Sequence, residues 1–126
     1  MTVIVTDRGF APDDWRGEET RTTTLTSDER AADLTERLSD LDMIRVSFSS
    51  FADGRGFTLA RDLRRLGFTG RLRAAGHVLS DQYAMARRSG FDEVEISDDL
   101  AARQPETEWL SRADWRAHDY QSRLRG

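Results

Sequence analysis

The sequence predicts a single α/β domain, a mostly parallel sheet of about four strands built from short repeated βα units, with an extra strand at the N-terminus. Three observations carry this. Runs rich in β-branched residues alternate with segments whose apolar residues recur at helical spacing. The strand starts near residues 22, 43, 71 and 93 stand 21 to 28 residues apart, which is room for a short crossover helix and so for parallel neighbours with right-handed connections. Finally, Arg64-Arg65-Leu66-Gly67-Phe68 is echoed 23 residues later by Arg87-Arg88-Ser89-Gly90-Phe91. Each copy puts cations in a last helical turn, glycine at the left-handed position beyond it and an aromatic to pack back, the Schellman ending.

Taken in order, Thr2 to Thr6 (TVIVT) reads as the N-terminal strand and the cluster Gly9, Pro12, Asp13, Asp14, Gly17 as loop. Thr22 to Thr26 (TTTLT) is the next strand. Thr26 followed by Glu29 fits a capping box, and Ala31, Leu34, Leu38 and Leu41 then recur as the apolar stripe of a helix over 28–40. Met43 to Phe48 is a strand, Phe57 to Leu66 a helix with Leu59, Leu63 and Leu66 on one face, and Arg71 to Ala75 a strand. Asp81 to Ser89 is a helix with Leu79, Tyr83 and Ala86 on one side, and residues 93–97 form the last strand. Asp98 can cap a helix through Leu100 to Arg103. Pro105 stands where a further helix starts, with Trp109, Leu110 and Trp115 as apolar anchors, and the charged stretch from Ala117 to Gly126 reads as a fraying tail. The chain thus divides into an N-terminal strand and loop (1–21), βα units (22–104) and a C-terminal helix and tail (105–126), all in one domain (1–126). Leu34, Leu38, Ile44, Val46, Leu63, Leu66 and Val94 are expected in the core. Phe57, Phe68, Tyr83 and Phe91 are expected as aromatic staples at element boundaries.

Composition narrows the chemistry. The chain has 126 residues, a hydrophobic share of 37%, a charged share of 33% and a net charge of -4. No apolar run is long enough to cross a bilayer or act as a secretory h-region, so a soluble cytoplasmic protein without a membrane partner is expected. There is no Cys, Lys or Asn, and all 19 basic residues are Arg. That excludes thiolate metal sites, disulfides, cysteine nucleophiles, Walker A loops and lysine Schiff bases. Charge is uneven: -5 over residues 1–50, +2 over 51–95 and -1 over 96–126. An excess that small does not make a nucleic-acid footprint, and no nucleic-acid partner is expected.

The candidate site lies in two loops. Ser49-Ser50-Phe51-Ala52-Asp53-Gly54-Arg55-Gly56 joins a strand to a helix at the edge where open α/β sheets bind ligands. Gly54 and Gly56 would admit a close ligand, and Arg55 could clamp a phosphate, sulfate or carboxylate. Leu59 stands where a dinucleotide fingerprint needs its third glycine. Turn chemistry explains the same loop, with Asp53 capping the helix and Arg55 pairing with a local acid. The loop Gly76 to Gln82 occupies the corresponding place after the next strand, so Asp53, Arg55, Asp81 and Gln82 could converge on one rim. Asp81 is equally an N-cap. His77 could work with Asp81 in acid/base chemistry, or be a satisfied loop residue. His118 beside Asp119 is read as surface. No residue is assigned a catalytic role, and no metal or cofactor is expected.

The run from Phe51 to Glu95 resembles a family of small uncharacterised bacterial proteins usually encoded beside sirohaem sulfite reductase in assimilatory sulfate-reduction operons. The shared pattern falls on Phe51, Asp53 to Gly56, Ala60 to Arg64, Gly70 to Gly76, Asp81 to Gln82 and Arg88 to Asp92, and Tyr120-Gln121 is similar to the family's closing pair. Ser89 stands where many relatives carry a cysteine, the region before Thr22 is shorter than usual and is read as lacking the family's tryptophan-containing segment, and the label oxidoreductase that members sometimes carry has no flavin or nicotinamide fingerprint behind it here. The resemblance implies an accessory protein of sulfate or sulfite assimilation that binds sulfite reductase, its electron donor or a small oxyanion. The alternative is a small oxidoreductase or other enzyme acting on a sulfur or phosphate oxyanion at Asp53, Arg55 and Asp81.

Overall fold

A computed structural model describes residues 2–15, 17 and 19–115. The expectations placed on the tail from Ala117, on His118 and Asp119, and on Tyr120 and Gln121 lie outside the described residues. Among the described residues the fold is a mixed α/β domain around a six-stranded sheet. Its strands are β1 (Thr2–Thr6), β2 (Gly9–Ala11), β3 (Thr22–Thr26), β4 (Met43–Phe48), β5 (Arg71–Gly76) and β6 (Glu93–Ser97), and its helices α1 (Arg55–Arg65), α2 (Tyr83–Ser89), α3 (Asp98–Arg103) and α4 (Glu106–Leu110). The order across the sheet is β2-β1-β6-β5-β4-β3.

β3 to β6 are parallel neighbours in chain order, as the spacing predicts, with Ile44 opposite Leu72 and Ala74 opposite Val94. The four-strand expectation falls short at the other edge. There β1 runs antiparallel to β6 and pairs with β2 in a hairpin. Gly9, read as loop, opens β2, and its φ of +110° is one that a residue without Cβ adopts freely.

The predicted helix over 28–40 is also corrected. Two 3₁₀ segments stand there, Ala31–Leu34 and Leu38–Asp40. Half of the capping box forms, since Glu29 Oε1 accepts from Thr26 N at 3.1 Å, but Arg30 is extended and Thr35 Oγ1 bonds back to Ala32 O at 2.9 Å. Such local side-chain bonds compete with a continuous helix. Ala31, Leu34, Leu38 and Leu41 are buried all the same. The apolar stripe therefore marks core contact rather than helix type.

Both Schellman endings form. Gly67 N donates to Arg64 O and Phe68 N to Leu63 O, while Gly90 N donates to Arg87 O and Phe91 N to Ala86 O. The first arginine of each repeat also reaches forward four residues, Arg64 Nη1 to Phe68 O at 3.0 Å and Arg87 Nη1 to Phe91 O at 2.5 Å. Leu66, expected in the core, is 43% exposed, because the left-handed turn at Gly67 hands its inward place to Phe68. The other six expected core residues and the four aromatic staples are buried.

Strand alternation sorts the sheet into two unlike faces. Ile44, Val46, Phe48, Leu72, Ala74, Val94 and Ile96 face the helices and share one core with Phe57, Leu63, Tyr83, Phe91 and Trp109. The intervening residues Arg45, Arg71, Arg73, Glu93 and Glu95 line the opposite face. β2 and β3 lie at opposite edges, and the bonds from Arg73 to Asp13 and from Arg71 to Asp14 carry their connection over this charged face. Five strand spacings of about 4.8 Å make roughly 24 Å, within reach of the intervening ten residues.

Candidate functional site

The loops after β4 and β5 meet at the C-terminal edge of the parallel strands. Gln82 joins them: its Oε1 accepts from Leu79 N at 2.9 Å and its Nε2 donates to Phe51 O at 2.9 Å. Gly76 makes the sharp exit from β5 with φ +102°, and a Cβ there would stand 2.7 Å from Phe48 O. His77 follows, with its backbone N donating to Phe48 O at 3.1 Å and its Nδ1 3.2 Å from the same carbonyl. Its ring sits edge-on to Phe51, 5.0 Å between centroids. Of the two readings of His77, these contacts fit the satisfied loop residue, and no bond joins it to Asp81 among the described residues.

Asp53 and Arg55 are held together. Asp53 Oδ1 accepts from Arg55 Nε at 3.0 Å and from Arg55 N at 3.2 Å, and Asp53 Oδ2 accepts from Ser27 Oγ. The hydrogen bond from Arg55 and the second from Ser27 hold the Asp53 carboxyl below its ordinary range, and the same pairing raises Arg55. Arg55 remains 67% exposed, with donors left for a partner beyond those that Asp53 takes. Gly56 serves packing rather than ligand approach, since a Cβ there would meet the Phe48 ring at 2.3 Å. At Gly54 nothing lies within 4 Å. Asp81 is exposed and shares no bond with Asp53, Arg55 or Gln82. The structure therefore brings Gln82 to the Phe51 loop, keeps Asp53 and Arg55 as a pair, and leaves Asp81 apart.

Three hollows surround this edge. An open concavity of about 390 Å³ is lined by Ser49, Ser50, Ala52, Asp53, Gly54 and Arg55. A cleft of about 520 Å³ lies on the other side of Arg55, between α1 and the 3₁₀ turn, with Arg30, Thr58, Leu59, Asp62 and Arg65 among its walls. A smaller one of about 260 Å³ includes Phe51, His77, Asp99 and Arg103. Arg55 lines the first two.

Two clusters escaped the sequence reading. On the charged sheet face, Arg73 Nε donates to Glu93 Oε2 and Arg73 Nη1 to Glu95 Oε1 at 3.0 Å. Arg45 pairs with Glu95, and Arg71 Nε donates to Glu93 Oε1 at 2.8 Å. The signal was present as period-two charge, Arg71-Leu72-Arg73 and Glu93-Val94-Glu95 on adjacent strands. At the opposite end of the sheet, Asp7 accepts from Tyr83 Oη at 2.5 Å, from Arg87 and from Trp115. Burial pushes the Asp7 carboxyl up, but these donors outweigh it and hold it below its ordinary value, while burial and Asp7 push Tyr83 up. This cluster ties a distant turn to α2 and reads as structural.

A parallel βα sheet with its loops gathered and cross-bonded at the C-terminal edge defines an α/β protein whose candidate site lies at that edge. Residues 22–126 match the family described as bacterial protein of unknown function, DUF934, and the chain belongs to it. No curated protein and no solved structure gives a significant match. Among the described residues no helix is long and apolar enough to cross a membrane.

Proposed function

We propose that this chain is an accessory protein of assimilatory sulfite reduction, which docks sulfite reductase or its electron donor, or holds a small oxyanion, through the rim formed by Phe51, Asp53, Gly54, Arg55 and Gln82. One observation carries the reading. The rim is an open, pre-assembled surface in which an exposed guanidinium, oriented by Asp53, stands in the same loop as the 40% exposed Phe51. An aromatic beside a fixed arginine is the pairing that anchors protein interfaces. The sequence resemblance, through the operon setting it implies, is what supports sulfite reductase or its electron donor as the partner.

The 520 Å³ cleft beside Arg55 favours a second reading, a small enzyme acting on a sulfur or phosphate oxyanion, because its volume falls among those of small-molecule sites. Replacing the chromosomal allele with Arg55→Ala tests the first. Growth on sulfite should fail at normal protein level while growth on cysteine continues. Undiminished growth on sulfite would contradict it.

A further inference from the structure

The connection from β2 to β3 does more than cross the charged face: it pairs with two of its arginines. Asp13 meets Arg73 through two parallel bonds, Nη1 to Oδ2 and Nη2 to Oδ1, each at 3.0 Å. Asp14 Oδ1 accepts from Arg71 Nη2 at 2.7 Å, and the Arg71 guanidinium lies 5.6 Å from the Trp15 ring centroid. Trp15 Nε1 in turn reaches Thr22 Oγ1 at 3.3 Å. A fork-to-fork carboxylate, a second carboxylate and a cation–π contact are how a basic surface recognises an acidic, aromatic peptide.

The two halves of this contact are unequal. Arg73 and Glu93 are 2% and 3% exposed in their side chains, whereas Asp13 and Asp14 are 41% and 71% exposed. The receptor half is therefore built into the sheet, while the strap's own carboxylates lie over it in contact with solvent. Without the strap, the face sets Arg45, Arg71 and Arg73 against Glu93 and Glu95 among the described residues, one positive charge in excess. The family match begins at residue 22. It takes in these arginines and leaves the strap out.

We propose that the Arg71–Arg73 face is a docking site for an acidic, tryptophan-containing segment of a partner protein, and that residues 13–15 occupy it as an intramolecular competitor. The site is independent of the rim at the C-terminal edge, and its test does not involve sulfite reductase.

The probe is a fluorescein-labelled synthetic peptide of residues 11–17, followed by anisotropy against the full chain and against the full chain carrying Asp13→Asn, Asp14→Asn and Trp15→Ala. Saturable binding to the opened chain, at least ten-fold tighter than to the wild type, is expected. It should weaken with sodium chloride and fall at least ten-fold when Arg71→Gln is added. If the triple variant does not fold, Asp13→Asn alone is used. A folded opened chain that ignores the peptide, or equal affinity for both chains, would overturn the proposal. Displacement by sodium sulfate beyond that by sodium chloride of equal ionic strength would also overturn it, since the face would then be a free oxyanion site.

Discussion

Replacing Arg73 with methionine tests how the charged sheet face is held. Arg73 is 2% exposed and bonds Glu93, Glu95 and Asp13. Removing one partner of a buried ion pair leaves charge uncompensated and costs about 3–5 kcal/mol. Here Glu95 keeps Arg45 and Glu93 keeps Arg71, which places the expected cost at the lower end, about 3 kcal/mol, or roughly 10 °C in Tm for a domain of this size. Urea unfolding followed by far-ultraviolet circular dichroism reads it, with an unchanged m-value required for the comparison. The loss should shrink as the pH falls through the carboxylate range, because an orphaned carboxylate can then take a proton. A cost below about 1 kcal/mol at pH 7 is the value of a solvent-screened surface pair and would refute the reasoning.

Further outcomes follow from other parts of the structure. The hydrogen bond from Arg73 holds the Asp13 carboxyl down to about 2, and at Glu95 the bonds from Arg45 and Arg73 outweigh the upward push of burial, as the donors at Asp7 do. Carboxylates depressed in this way stabilise the fold above their ordinary pKa and lose that contribution as they protonate, so Tm should fall between about pH 4 and pH 2; a flat acid limb would contradict these pairings. Gly76→Ala sets a Cβ against Phe48 O at a positive φ and should cost more than about 1 kcal/mol in thermal unfolding, whereas a neutral result would deny the strained exit from β5. Gln82→Ala removes both bonds of the loop bridge, and amide exchange at residues 50–54 should quicken several-fold with β4 unchanged; unaltered exchange would show that Gln82 does not hold the loop.

The parallel direction of β3 to β6 was legible because both repeat endings are local chemistry, in which Gly67 and Gly90 stop a helix whatever lies around them, whereas the order across the sheet, set by long-range pairing, was not. The segment over 28–40 was less so, since an apolar period records which residues touch the core and Thr35 decides locally against a continuous helix. β2 hid in a glycine- and aspartate-rich run because a three-residue edge strand is defined by its partner, not by propensity. At the rim, the neighbourhood of the two loops could be read, but Gly56 could not be told from a ligand-facing glycine without the Phe48 ring beside it. The charged face went unread for a different reason. Its arginines and glutamates look like a solvated surface until the β2–β3 crossing brings Asp13 and Asp14 over them.

The central claim is that the Phe51–Arg55 rim docks a protein of the sulfite reductase system. Interferometry with this chain immobilised and purified sirohaem sulfite reductase in solution measures it most directly. Saturable binding that weakens at least ten-fold in Phe51→Ala and in Arg55→Ala, and is unchanged in Arg21→Ala, which precedes β3 at the opposite end of the parallel strands, is the predicted result. A correctly folded chain that gives no binding, or binding that both rim substitutions leave intact, would contradict it.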